Sequence, residues 1–371
     1  MGFILLRYGE VGLKGNNRFM FTRQLRRNVR AALKAHNLEG EVISKGQRIY
    51  VYTDQVQEAL EPLARVFGLV SLSPASEVSC DPAEVSAECV RQALKAGVNP
   101  QVTYRVRARR ADKNYPLNSP QISRMAGEAV QSATGGSVDL TDNAQVTIGV
   151  EITRDKALIF GQIVPALGGL PVGIEGRVVA LISGGIDSPV AAWMMLKRGC
   201  GIIPLHFNSN PTELAKVQEN IDLLQHFSYG WQLRPTILNH SEVIGPVLER
   251  LHVIGEQRWG CIMCKRAMLQ KACEVAEKYG AQAIVTGDSM GQVASQTLAN
   301  MAAISYGINK PILRPLVGLD KTEIIDMARR IGTFPISTRE SEACRFLPSH
   351  PVTQGTLQHL RMILAQIENP D

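Results

Sequence analysis

Apolar positions in the first part of the chain recur with two different periods. Residues 3–8 and 48–53 are short apolar runs of strand length, and between them Asn17 to Ala35 carries apolar side chains at helical spacing among basic ones. A helix is expected over Gln57 to Phe67, followed by a strand, LVSLSP, closed by Pro74. Asp81 to Ala96 reads as a helix that opens on Asp-Pro, an acidic cap followed by a proline in the first turn. Thr103 to Arg109 alternates like a strand, Gln121 to Ser132 is helical, and VTIGVEITRD and ALIFGQIV form a strand pair around Arg154-Asp155. The pattern predicts a small α/β region that ends near Val164.

The next stretch, PALGGLPVGIEG, is rich in glycine and proline and has no periodicity, so it is expected to be a linker. Beyond it the units lengthen: VVALIS then SPVAAWMMLKRG, GIIPLHF then PTELAKVQENIDLLQHF, and later AQAIVTG. Apolar runs alternating with amphipathic helices imply an α/β fold with a parallel sheet covered on both faces. At 371 residues the chain exceeds the usual size of one domain, so two or three are expected.

Composition narrows the picture only a little. The formal charge of +6 permits an anionic partner without establishing one. More suggestive is the N-terminal run Arg7, Lys14, Arg18, Arg23, Arg26, Arg27, Arg30 and Lys34, which a solvated helix face would explain equally well. No segment has the roughly 18 uninterrupted apolar residues that span a bilayer. The start, MGFILLRYGE, is charged too soon for a signal peptide and reads as a first strand. A cytoplasmic protein with no membrane association is expected. In that reducing compartment the seven cysteines are not a disulfide framework, and only Cys261 and Cys264 form a C-x-x-C pair.

The sharpest local feature is Ser183-Gly184-Gly185-Ile186-Asp187-Ser188, between an apolar strand and a helix that opens on Ser188-Pro189. Two glycines let the backbone turn tightly and bring its N–H groups close to a ligand, and the helix N-terminus adds partial positive charge at the same place. The Ser183 and Ser188 hydroxyls add further hydrogen bonds. This is a phosphate cradle that lacks the G-K-[ST] ending of a Walker loop. Asp187 is acidic where phosphates should sit, which fits a residue associated with Mg²⁺; the plain alternative is a helix cap.

SGGxDS resembles the PP-loop ATP pyrophosphatases, which form adenylates and release pyrophosphate. More specifically, SGGIDSPVAAWMMLKRG, GDSMGQVASQTLANM and LRPLVGLDKTEII resemble the tRNA 4-thiouridine synthetase family, ThiI, as does the N-terminal RYGEVGLKGNNRFMF. RADKNYPLNSPQISRMAG is similar to the core of a THUMP domain. The resemblance spans nearly the whole chain. It implies a ferredoxin-like domain over residues 1–60, a THUMP domain over 61–166 and a PP-loop domain with a doubly wound parallel sheet over 167–371. The first two would grip tRNA through phosphate contacts, Lys14, Arg18 and Arg110 among them. ATP would lie on Leu181, Ile182, Ser183, Gly184, Gly185, Asp187 and Ser188, near His206 and Phe207, with Lys265 or Arg266, Gly287 and Gln296. Lys321, in DKTEI, resembles the family's functional lysine and would stabilise charge at the α-phosphate or the leaving pyrophosphate.

By the same resemblance the activity is adenylation of a tRNA uridine, expected at position 8, with O4 replaced by sulfur and AMP and pyrophosphate released. Catalysis would rest on Asp187, Lys321 and Cys344. Some family members carry a C-terminal rhodanese domain, which also serves thiazole biosynthesis. This chain ends at Asp371, shortly after CRFLPSHPVT, and a different sulfur route is expected. Cys261, Cys264 and Cys344 resemble the set that holds a 4Fe–4S cluster in members lacking rhodanese, with one iron left open for sulfide. Structural zinc with His350, a persulfide on Cys344 resolved by Cys261 or Cys264, and plain buried thiols stay open beside it. So do sulfide or a persulfide as donor, and a homodimer. Two rivals to the activity are a PP-loop ligase or amidotransferase acting on another acceptor, and a tRNA-binding module with an inactive nucleotide site.

Overall fold

The Gly/Pro-rich stretch after Val164 is where the fold divides. In a computed structural model of the chain, which describes residues 2–46, 48–340, 342, 344, 346 and 348–368, two units meet at Gly169 and Leu170.

The first unit carries β1 (Gly2–Tyr8), α1 (Arg18–Ala35), β2 (Glu41–Lys45), β3 (Arg48–Thr53), α2 (Val56–Ala64), β4 (Leu69–Val78) and α3 (Pro82–Lys95). It continues with β5 (Thr103–Arg110), α4 (Ser119–Thr134), β6 (Ser137–Val138), β7 (Val146–Ile152), β8 (Ala157–Phe160) and β9 (Val164–Pro165). One sheet runs through all of it in the order β2-β3-β1-β4-β8-β7-β5-β6, with β9 beside β4. The strand expected to close at Pro74 instead runs on to Val78. Pro74 lies opposite Ile4, between the residues of β4 that pair with β9 (Ser71, Leu72) and those that pair with β8 (Ser76 to Val78). A missing N–H costs little where one flank of the strand is unpaired. β4 thereby joins the two halves of the sheet. Asp81 caps α3 as its sequence suggests, accepting from the N–H groups of Ala83 at 2.9 Å and Glu84 at 3.2 Å. The core under β5, β7 and β8 is formed by Val85, Cys89, Tyr104, Ile122, Ile148 and their neighbours.

The second unit is built on five parallel strands: β10 (Arg177–Leu181), β11 (Gly201–Asn208), β12 (Thr236–Asn239), β13 (Ala283–Val285) and β14 (Ile312–Leu313). Their order is β12-β11-β10-β13-β14. The chain starts in the middle, winds outward on one side, and returns to wind outward on the other. Such a reversal opens a crevice at the carboxyl ends of the central strands, which is where open α/β sheets bind ligands. β11 is buried at all but its last residue and β10 through Val178, Val179 and Ala180, as a sheet covered on both faces requires. The helices are α5 (Asp187–Lys197), α6 (Pro211–Gln225), α7 (His240–Val253), α8 (Gly260–Tyr279), α9 (Leu298–Ser305), α10 (Lys321–Ile331), α11 (Phe334–Ser337) and α12 (Leu357–Glu368). Cys261 and Cys264 lie in the first turns of α8.

Candidate functional site

At the switch point a cavity of about 490 Å³ opens over the ends of β10, β11 and β13. Its floor is the loop between β10 and α5. The two serines of that loop close it on itself: Ser183 N–H donates to Ser188 Oγ at 2.8 Å, and the two hydroxyls lie 3.0 Å apart. Gly184 is buried, and a side chain there would meet the stem of Lys216 and the Glu213 side chain at about 3.3 Å. Gly287, after β13, passes still closer to the loop, because a Cβ on it would lie 2.8 Å from the backbone N and Cα of Ser188. Glycine is needed at 287 for close backbone approach.

Of the ATP residues expected from the sequence, Leu181, Ile182, Ser183, Gly184, Gly185, Asp187 and Ser188 line this cavity from β10 and its loop. His206 and Phe207 line it from the end of β11, and Lys265, Gly287 and Gln296 from the opposite side. Arg266 is not in the wall. It is buried on another face of α8, hydrogen-bonded to the Tyr306 carbonyl and lying over the Tyr306 ring. His206 Nδ1 lies 2.9 Å from the Ile182 carbonyl. Since a carbonyl only accepts, Nδ1 carries the proton, and burial lowers the imidazole's pKa. Asp187 does not cap α5; its Oδ1 accepts from Lys321 Nζ, the first residue of α10, at 2.6 Å.

Some of the cavity escapes sequence reading. Asp288 is buried there and accepts from Lys265 Nζ and from the Thr286 hydroxyl, both at 2.8 Å, with Arg314 Nε at 3.4 Å. Burial opposes its charge, yet Lys265, Thr286 and Arg314 together hold its carboxyl below the usual range. The only hint of it in sequence is its place inside GDSMGQVASQ. Lys216 and His240 also line the cavity, from α6 and the start of α7, and no motif marks either.

Cys344 is exposed and lines the same cavity as Asp187. Cys264 stands behind that wall, its Sγ 3.6 Å from His240 Nε2. Burial, then the neighbouring Cys344 and Cys261, push the Cys264 thiol up to about 12; burial and then Cys344 also raise Cys261. The three sulfurs are therefore within electrostatic reach of one another. Among the described residues, though, no three His, Cys, Asp or Glu side chains stand close enough to hold a metal ion. His350, the zinc alternative, is exposed and lies against Ser349.

In the first unit, Arg110 lines a second, basic cavity of about 940 Å³ together with Arg48, Arg109 and Arg154. Arg18 is exposed at the start of α1, and Lys14 Nζ lies 4.7 Å from the centre of the Phe21 ring. Arg7, from the same basic run, is not a surface charge: it is paired with Glu151 at 3.4 Å, and its guanidinium lies over Phe160. Among the described residues no helix is long and apolar enough to cross a membrane.

Nearly the whole chain is similar to known proteins. Residues 173–368 match the family model for thiamine biosynthesis protein (ThiI), residues 3–73 that for the ThiI ferredoxin-like domain, and residues 84–161 that for the THUMP domain. A probable tRNA sulfurtransferase of Thermococcus kodakarensis is 40% identical, over 98% of this chain and 96% of its own length. One from Methanocaldococcus jannaschii is 38% identical over 98% and 97%. A crystal structure of a 4-thiouridine synthetase–RNA complex with bound ATP superposes with a TM-score of 0.87 at 34% identity, covering 99% of this chain and 95% of that one. PH1313 from Pyrococcus horikoshii gives 0.71 at 28% identity, over 90% and 100%. With a doubly wound sheet, a glycine loop at its switch point and these likenesses over nearly its full length, the chain belongs to the ThiI family.

Proposed function

We propose that this protein is an ATP-dependent tRNA sulfurtransferase that makes 4-thiouridine, at uridine 8. The observation that carries the reading is that Asp187, on the phosphate loop, and Cys344 line one cavity. A nucleotide and a sulfur-bearing group can therefore meet at one base. The relatives named tRNA sulfurtransferases, and the similar synthetase crystallised with RNA and ATP, support it.

In this reading the N–H groups of the Ser183–Ser188 loop and the N-terminus of α5 bind the phosphates. The walls at Leu181, Ile182, His206, Phe207, Gly287 and Gln296 take the nucleoside. Uridine O4 attacks the α-phosphate and pyrophosphate leaves, with Lys265 and Lys321 offsetting the charge that develops. Asp187 already faces a cation, Lys321, and fits Mg²⁺, which takes one or two carboxylates plus phosphates. Adenylation makes C4 electrophilic. A sulfur nucleophile then adds at C4 and AMP departs with the former O4.

Cys261, Cys264 and Cys344 have the soft donors that a 4Fe–4S cluster would need, and such a cluster, if these thiols drew together around it, would supply sulfide to the activated base. Cys344 as a persulfide carrier, resolved by Cys261 or Cys264, uses the same side chains. We further assign residues 1–60, 61–166 and 167–371 to ferredoxin-like, THUMP and PP-loop domains, the first two holding tRNA. All seven cysteines are free, which suits the cytoplasm.

The test is formation of 4-thiouridine, AMP and pyrophosphate by the full chain with tRNA, ATP and sulfide, prepared anaerobically. Cys344→Ser should stop thiolation and keep some adenylation; wild-type yields of thiouridine in that variant would remove the sulfur role. ATP turnover that ignores tRNA would favour an adenylating ligase instead. Iron and labile-sulfide analysis separates cluster from persulfide.

A further inference from the structure

Lys216 is the buried cation of the cavity that none of the motifs accounts for. It lies on α6, is only 3% exposed, and lines the cavity beside the phosphate loop. Its stem crosses Gly184, so that a Cβ there would sit 3.3 Å from Lys216 Cε. Among the described residues its ammonium makes one hydrogen bond, to the Arg339 carbonyl at 2.7 Å, and no ion pair. Glu213, one turn earlier on α6, is turned to Ser209, its Oε2 accepting at 2.6 Å. A buried ammonium satisfied by a single neutral carbonyl is unusual, since buried charges are ordinarily paired. The place beside it is the glycine loop that leads into the N-terminus of α5, and a helix N-terminus attracts anions.

Resting on the nucleotide reading of this cavity, the geometry points to Lys216 as a further phosphate-binding residue. Its ammonium is held in reserve by the Arg339 carbonyl and turns to the β- and γ-phosphates, and then to the leaving pyrophosphate. Lysine suits the task because it reaches phosphate as a point charge on a flexible stem. Lys265 and Lys321 already have their charge partly offset by Asp288 and Asp187, whereas Lys216 brings a positive charge that no carboxylate offsets among the described residues. The carbonyl that holds Lys216 belongs to the segment leading toward Cys344, and that segment is pinned separately. Arg339 makes two hydrogen bonds to Glu219, at 2.6 and 2.7 Å, and Ser337 Oγ donates to the Gly185 carbonyl at 3.3 Å.

The experiment uses the full chain and calorimetric binding of ATP and of inorganic pyrophosphate. Lys216→Met keeps the stem and removes the charge. Pyrophosphate affinity should fall roughly ten- to a hundredfold, as expected for one charge-assisted hydrogen bond, with tRNA affinity unchanged and partial recovery in Lys216→Arg. Glu219→Ala loosens the Arg339 segment without touching the cation and should keep pyrophosphate affinity. If it instead reproduces the loss, Lys216 is only a strap and the inference falls. Equal binding of ATP and pyrophosphate by wild type and Lys216→Met overturns the inference alone. A wild type that binds neither overturns the nucleotide reading, and the inference with it.

Discussion

Lys321 Nζ donates to Asp187 Oδ1 at 2.6 Å, joining the first residues of two helices. A lysine in the first turn opposes the helix dipole, so its place is not explained by the stability of α10. That end is secured instead by a capping box between Asp320 and Glu323. Asp187 could have capped α5 and does not. The pair is half-exposed and contributes no more than about 1 kcal/mol to stability. Asp187→Ala and Lys321→Met should therefore melt within a few degrees of wild type, while each cuts tRNA-dependent pyrophosphate release by about a hundredfold or more, the order found for a lost charge-stabilising group. The double variant should lose little beyond the worse single one, because the two act as a unit. Additive losses in that cycle would show that they act separately.

The second unit was the more legible part of the fold, because β10 and β11 are long apolar runs followed by amphipathic helices. β12, short and only half-buried, and α7 carry no such contrast and were not foreseen. Within the site, residues on the glycine loop could be read because the loop's chemistry is local. Asp288 and Lys216 could not, because their meaning comes from what folding brings beside them: Lys265, Arg314 and the Arg339 carbonyl. Arg7 shows the converse. As a residue it belongs to a basic run, and only the sheet register places it against Glu151. Cys344 lies in a segment several of whose residues, Ser341, Ala343, Arg345 and Leu347, fall outside the described ones.

Gly287 offers a steric test of the cavity that does not depend on any charge. A Cβ at this position meets backbone, not a side chain that could swing aside: Ser188 N and Cα at 2.8 Å and the Asp187 carbonyl carbon at 3.0 Å. Gly287→Ala must push the loop after β13 away from the start of α5. The expected cost is about 1–3 kcal/mol of stability, as for overpacking in a core. ATP affinity should fall at least about tenfold, since 1.4 kcal/mol is a decade. Gly291→Ala nearby, at a positive φ of 76° with nothing within 4 Å, should cost stability without this steric loss of binding. Equal ATP affinities for Gly287→Ala and wild type would contradict the packing described.

Alkaline pH should weaken the fold through its buried thiols. Burial, and then the Glu88 carboxylate, push Cys89 up to about 12, and Cys264 stands equally high. An unfolded cysteine titrates near about 8.5. Below that value both states keep the proton and the contribution is whole. Between about 9 and 12 the unfolded chain has released a proton that the folded chain still holds, so stability falls as pH rises. Cys89→Ala should be somewhat less stable than wild type at pH 7.5 and lose less on going to pH 10.5, so the gap between them narrows. Denaturant midpoints of the full chain at several pH values measure it; a constant gap would mean that Cys89 ionises freely in the folded state.

The basic side of the first unit makes a claim about salt. Each phosphate neutralised by a protein cation contributes about 0.7–0.9 to the slope of log K against log salt concentration. Arg18 is exposed, Lys14 is held over Phe21, and Arg110 points its Nη1 to the Tyr115 carbonyl at 2.9 Å in a cavity with several other arginines. If these three meet tRNA phosphates, each alanine variant should weaken binding to every tRNA alike and flatten the slope by about one. Arg7 provides the contrast. Burial lowers its pKa against the pull of Glu151, and that carboxylate also accepts from Arg48 Nε at 3.2 Å. Arg7→Met should then cost about 1–3 kcal/mol of stability, as for a lost charged hydrogen bond, and leave the slope unchanged. A flattened slope in Arg7→Met, with full slopes in the other three, would mean that RNA enters through the sheet interior and not along the exposed residues.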